Sequence, residues 1–155
     1  SAIKTIQQLN PAAINIGGAN GTNFAVIERR RNRQAETLNI DQFGLSTVES
    51  LISAQIMQNQ YPIIATGGIQ SANDVITSLM LGATLVSSAG FMLKTLMDDG
   101  QSALVQQIEG WQSALPRLLT LLGAQSNQEL AEKQRLYSPS LQNFITQQKA
   151  SPENR

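Results

Sequence analysis

The sequence predicts an α/β fold built on a parallel sheet, and three observations predict it. Short apolar runs ending in small residues recur at "AAINIGG" (12–18), "YPIIATGG" (61–68) and "TLVSSAG" (84–90). The stretches between and after these runs space their apolar residues at helical intervals. Ser followed three residues later by Glu or Asp marks helix starts at Ser46, Ser71 and Ser126. Strands that alternate with helices imply parallel pairing through crossovers. Three strands are too few to close a barrel or to bury a parallel sheet on both faces, so the architecture reads as incomplete.

The elements follow in chain order. "AIKTIQQL" places Ile3, Ile6 and Leu9 on one helical face. The first strand, within 12–18, runs into Gly17 and Gly18. From 17 to 44 lies a polar stretch, "GGANGTNFAVIERRRNRQAETLNIDQFG", read as one long loop. Loops of that length in compact domains are usually functional or disordered. "STVESLISAQIMQNQ" (46–60) is a helix opened by the Ser46/Glu49 capping box. After the second strand, Ser71 and Asp74 start a helix carried by Val75 and Leu79 and stopped at Gly82. The third strand leads into two helices, "FMLKTLMDDG" (91–100) and "QSALVQQIEGWQSALPRLLTLLG" (101–123), the second expected to bend or break at Pro116. Ser126 and Glu129 cap a further helix, and the tail ending in "SPENR" is expected to fray.

Composition narrows the chemistry. Eleven basic residues balance eleven acidic ones, so no net field draws the chain to nucleic acid or to an anionic membrane. No apolar run reaches membrane-spanning length and "SAIKTIQQLN" lacks a signal-peptide core, which makes the cytoplasm the default location. The chain contains neither His nor Cys. Zinc sites and Ser-His or Cys-His nucleophiles are thereby nearly excluded. Catalysis would rest on carboxylate, Lys, Tyr or a cofactor.

The small residues at the strand ends are the strongest functional signal. Ligands of α/β folds sit where strands end and helices begin, held by backbone N–H groups and the positive end of a helix. Gly67-Gly68-Ile69 before "QSAND", and Ala89-Gly90 before "FMLK", both suit a phosphate. Tight-turn glycines without a ligand are the plain alternative, but two consecutive strand ends of this kind favour phosphate.

"ATGGIQSANDVITSLMLGATLVSSAG" resembles the C-terminal half of FMN-binding (β/α)8 barrels, including 2-hydroxy-acid oxidases, the inosine monophosphate dehydrogenase group and type 2 isopentenyl-diphosphate isomerases. "INIGGANGTNFAVIERRR" is similar to the sixth-strand loop of the type 2 isomerases, and "LLGAQSNQELAEKQRLYSPSLQNFITQQ" resembles their C-terminal end. The oxidases carry a catalytic His at this level, which this chain lacks. The resemblance implies the C-terminal part of a TIM barrel, about strands 6 to 8 with their helices, followed by C-terminal helices. Residues 1–148 would form this half-barrel, with 17–44 as its long active-site loop and 149–155 as a frayed tail.

The resemblance also implies an activity and its residues. Family members interconvert isopentenyl diphosphate and dimethylallyl diphosphate by proton transfer, using reduced FMN, NADPH as its reductant and Mg²⁺ on the substrate diphosphate. By motif position, Thr22, Gly67, Gly68, Ile69, Ala89 and Gly90 would bind FMN, mostly at its phosphate. Gly17 stands where many members have Ser, which removes one side-chain contact to the flavin. Glu28 falls where the family has a Glu near flavin and substrate, with an exposed pair to Arg29–Arg31 as the alternative. Asn23 and Arg31 become substrate-diphosphate contacts, Arg through its bidentate fork. Phe24 is read as a cover for the isoprenoid chain or a loop anchor, Trp111 as packing, and Lys94 as helix surface.

The family's N-terminal Arg-Lys pair, its Mg²⁺-binding Glu and its flavin-contacting Lys after the fifth strand have no counterpart here. No metal ligand is therefore expected in this segment, and alone it is expected to be inactive. The strands at 12–16 and 84–88 would be open edges, inviting the missing half of the barrel or another copy of the chain. Two other readings share the motifs: part of another FMN-barrel oxidoreductase, or a non-catalytic phosphate-binding half-barrel.

Overall fold

A computed structural model of the protein describes residues 2–31 and 44–151. A parallel sheet of three short strands lies at its centre, β1 (Ile14–Ile16), β2 (Ile63–Ala65) and β3 (Leu85–Val86), in spatial order β1-β2-β3. The register pairs Ile14 with Ile63 and Ile64 with Leu85. Backbone bonds continue past the strands: Thr66 N–H donates to Ile16 O and Ser87 N–H to Ala65 O, each at 2.8 Å. All three strands consequently end at one side of the sheet.

Eight further elements surround it: α1 (Ala2–Gln7), a 3₁₀ turn (Gly18–Asn20), α2 (Phe24–Arg31), α3 (Thr47–Ile56), α4 (Ala72–Met80), α5 (Gly90–Leu121), α6 (Asn127–Glu132) and α7 (Pro139–Ala150). The alternation of β1 puts Ile14 and Ile16 inward and Asn15 outward. With Ile63 and Ala65 of β2 they meet Leu51, Ile52 and Ala54 of α3, and Tyr137, Leu141, Phe144 and Ile145 close that layer from the C-terminal segment. Ile76, Ala124 and Leu130 form a second cluster between α4, α5 and α6. The opposite face of the sheet carries the row Asn15, Ile64 and Leu85, of which Asn15 and Leu85 are exposed. A parallel sheet normally buries both faces, so the bare row and the two edge strands agree with a partial α/β layer. No helix of the described residues is long and apolar enough to cross a membrane.

Three sequence expectations are corrected. The stretch 17–44 is not one loop: its described part folds into the 3₁₀ turn and α2, while 32–43 lies outside the described residues. Helix α2 starts because the Asn23 side chain accepts a bond from Val26 N–H at 3.2 Å, satisfying one of the free amides of its first turn. The boundary expected between the helices at 91–100 and 101–123 is found at Gly100 (φ 86°, ψ 177°), but the break expected at Pro116 is not, since helical dihedrals continue through it to Leu121. Glycine alone enters that backbone region without a Cβ penalty. The helix expected over 46–60 ends at Ile56, where Gln58 turns to φ 51°.

Besides this packing, a cationic side chain ties the C-terminal segment to α4. Arg135 donates to the Met80 carbonyl at the end of α4 (2.8 Å) and to the Ala131 carbonyl (2.9 Å). Arg135→Ala is expected to lose about 2 kcal/mol, because charge-assisted bonds to otherwise unpaired helix carbonyls go with it. Thermal melting checks this, as a fall of roughly 4–8 °C for a chain of this size.

Candidate functional site

A cleft of about 630 Å³ opens at the C-terminal ends of the strands. Each strand end contributes a wall: Gly17 to Thr22 after β1, Thr66 to Gln70 after β2, and Ser88 to Phe91 after β3. None of the lining side chains is ionisable, so what they present is backbone, hydroxyl and amide.

The walls are held by specific bonds. Thr47, the first residue of α3 and only 6% exposed, places its Oγ1 2.8 Å from Gly67 O, 3.0 Å from Gly17 O and 3.2 Å from Thr66 O. Its N–H donates to Asn20 Oδ1 at 3.0 Å, and Ala19 N–H donates to Leu45 O at 2.7 Å. The 3₁₀ turn is thus fastened to the start of α3. Across the cleft, the Ser88 hydroxyl donates to Ile69 O at 2.7 Å and ties the end of β3 to the turn after β2.

Backbone geometry explains the glycines. Gly67 has φ +83°, and a Cβ there would fall 2.3 Å from Gly17 O and 2.7 Å from Gly21 N. Both the conformation and the space exclude any side chain at that position. Gly90 differs, since a Cβ added to it meets nothing within 4 Å. Its missing side chain answers no protein neighbour and leaves the mouth of the cleft open at the start of α5.

That start is also distinctive electrostatically. Helices α2, α3, α4, α6 and α7 are capped by the side chains of Asn23, Ser46, Ser71, Ser126 and Ser138. Helix α5 follows Ala89 with no side-chain cap bond. Its first-turn amides and the positive end of its dipole therefore face the cleft without an internal acceptor. Phe91, which follows, stacks on Trp111 with ring centroids 6.3 Å apart and planes at 12°. The turn at Gly100 lets the two halves of α5 lie together for this contact.

Every residue expected to hold FMN, namely Thr22, Gly67, Gly68, Ile69, Ala89 and Gly90, lines this one cleft, and so does Gly17. Ile69 is buried, which leaves its backbone as its contribution. The residues expected at substrate are not among the lining. Glu28 accepts from Arg31 at 3.0 Å on the surface of α2, with the two side chains 64% and 74% exposed. Such a pair contributes little to stability. Asn23 caps α2, and Lys94 pairs with Asp98 on the exposed face of α5. Trp111 is half-buried in packing, and the Phe24 side chain lies outside the described residues. Sequence reasoning missed Thr47, Asn20 and Ser88. Nothing in the spacing singles them out, because their roles arise from contacts between segments about 20 to 30 residues apart.

Comparison with known proteins bears on this cleft. Residues 40–137 match the FMN-dependent dehydrogenase family. An isopentenyl-diphosphate delta-isomerase of Lactococcus lactis is 47% identical over 146 residues, covering 94% of this chain and 42% of that protein. Proteins of the same name from Limosilactobacillus reuteri (38% identity, 95% of this chain, 42% of theirs) and Moorella thermoacetica (42%, 84% and 38%) are similar too. The chain spans about two fifths of the length of these curated relatives.

Proposed function

Since the chain belongs to the FMN-dependent dehydrogenase family, we propose that its glycine cleft holds the phosphate end of FMN. We further assign the segment to an enzyme that interconverts isopentenyl diphosphate and dimethylallyl diphosphate, the activity named for its relatives. The observation that carries this reading is the convergence of Thr22, Gly67, Gly68, Ile69, Ala89 and Gly90 on one neutral cleft at the strand ends. A phosphate monoester suits such a cleft: amides and an uncapped helix start supply the positive partner that side chains do not. A (β/α)8 barrel would place a phosphate in this position relative to its last strands.

When bound, reduced FMN would supply a group able to exchange a proton beside the substrate double bond. Isomerisation places a proton on the terminal carbon and removes one from the carbon next to the diphosphate-bearing one, moving the double bond inward by one position. Glu28 is the carboxylate of this chain proposed to hold a proton for that exchange, with Asn23 and Arg31 oriented to the substrate diphosphate. These roles require Arg31 to exchange its Glu28 bond for phosphate oxygens. NADPH as reductant and Mg²⁺ on the diphosphate belong to the same reading by resemblance. The described residues present no group of three His, Cys, Asp or Glu side chains to hold the ion. By the resemblance, its ligand is assigned to the remainder of a full-length enzyme, which would also add strands beside β1 and β3. Association into a homo-oligomer is part of the same proposal.

Another FMN-barrel oxidoreductase is disfavoured by the absence of His and by the names of the relatives. Assay of the intact protein with FMN, a reductant and Mg²⁺ is expected to convert isopentenyl diphosphate to its allylic isomer. Glu28→Gln is expected to lower kcat about a hundredfold, the scale of a lost general acid or base, with FMN affinity unchanged. An undiminished rate would return Glu28 to a surface ion pair and nothing more.

A further inference from the structure

We infer that Thr47 is the positioning residue that turns the amides of Gly18, Gly67 and Gly68 toward the phosphate in the cleft. This rests on the phosphate reading above and deepens it. Thr47 does not line the cleft; its hydroxyl is buried behind the floor, with the carbonyl oxygens of Gly17, Thr66 and Gly67 within 3.2 Å. A planar trans peptide points its C=O and the following N–H in opposite directions. No peptide bond among the described residues is cis. Three carbonyls drawn to one point behind the floor therefore turn three amides, those of Gly18, Gly67 and Gly68, the other way. All three residues line the cleft, and none of these amides donates to another described residue.

One hydroxyl has one proton to donate, and three carbonyl oxygens around it repel one another. The cluster holds because its members are fixed from outside. The Thr47 N–H bond to Asn20 and the Ala19 bond to Leu45 O lock the 3₁₀ turn onto α3. Gly18 packs so closely that a Cβ would lie 2.6 Å from Leu45 O. An anion on the far side of the floor relieves the arrangement, since it draws the amide dipoles in the direction the carbonyls already set.

The test compares FMN with riboflavin, which lacks the phosphate, on the intact protein and its Thr47 variants. Thr47→Val keeps the shape and removes the donor. It is expected to weaken FMN binding by on the order of thirtyfold while riboflavin changes less than about threefold, as fits loosened charge-assisted bonds to the phosphate alone. Thr47→Ser restores the hydroxyl and is expected to return FMN affinity to within about threefold of the parent. Equal losses for both ligands in Thr47→Val, or a Thr47→Ser variant as poor as Thr47→Val, would overturn the inference and leave Thr47 a packing residue. Should Thr47→Val not fold, Thr47→Cys takes its place with the same expectations, its thiol being a weak donor. A parent protein that binds FMN and riboflavin equally would instead defeat the phosphate reading itself, whatever the variants do.

Discussion

Gly67→Ala is expected to destabilise the protein by about 3 kcal/mol and to abolish measurable FMN binding. The native φ of +83° costs an L-residue roughly 1–2 kcal/mol. The added Cβ would also stand 2.3 Å from the Gly17 carbonyl and 2.9 Å from Gly21 Cα, both backbone atoms of the neighbouring wall. Displacing packed backbone of this kind adds roughly 1–3 kcal/mol. For a chain of this size the sum lowers Tm by roughly 6–12 °C. Because the displaced carbonyl is one of the three gathered at Thr47, the disturbance passes directly into the floor of the cleft. Gly68→Ala serves as the comparison: it carries similar backbone strain at φ +74°, but its Cβ approaches only the Asn20 side chain, at 3.0 Å. A smaller fall in Tm is expected there. Melting curves and flavin titrations of the two variants check the ordering, and equal effects would remove the steric argument.

The second large effect is expected at Gly90, for the opposite reason. A Cβ at this position has no protein atom within 4 Å, so Gly90→Val is expected to leave Tm within about 2 °C of the parent, as surface substitutions do. It is nevertheless expected to weaken FMN binding about a thousandfold. The branched side chain would stand where the phosphate meets the uncapped start of α5, displacing contacts worth roughly 1.5–3 kcal/mol each. Retained FMN affinity in a stable Gly90→Val protein would mean that the mouth of the cleft is not the phosphate position.

The contrast between the two glycines shows what the sequence makes legible. Both stand at the end of an apolar run before a helical stretch, and that pattern alone marks the strand ends and the cleft. It does not reveal that Gly67 is needed by the protein's own backbone whereas Gly90 leaves open space. The capping residues Ser46, Ser71 and Ser126 are readable because a cap is a local bond, closed within three residues. Helix α2 escapes notice because "FAVIERRR" sets Val26 and Ile27 side by side before a run of charges, with no apolar stripe to read. Asn23, read from the sequence only as a substrate contact, also caps this helix, a role that the same short polar side chain serves equally well. Pro116 looks like the stronger helix breaker. Yet the chain stays helical through it and turns only at Gly100, the boundary the sequence already marks, where the positive φ is free of strain and where Phe91 gains its stacking partner, Trp111. Thr47 lies beyond sequence reading altogether, since its importance is the coincidence of three carbonyls from two strand ends.

The central claim is that the cleft at the strand ends recognises a phosphate through backbone amides. The most direct measurement is the affinity of the intact protein for FMN and for riboflavin under the same conditions. The account predicts that FMN binds at least about a hundredfold tighter, the share of affinity that several charge-assisted amide bonds to one phosphate provide. Equal affinity for the two flavins would contradict it, and would leave the glycines of the cleft as turn residues with no ligand to explain them.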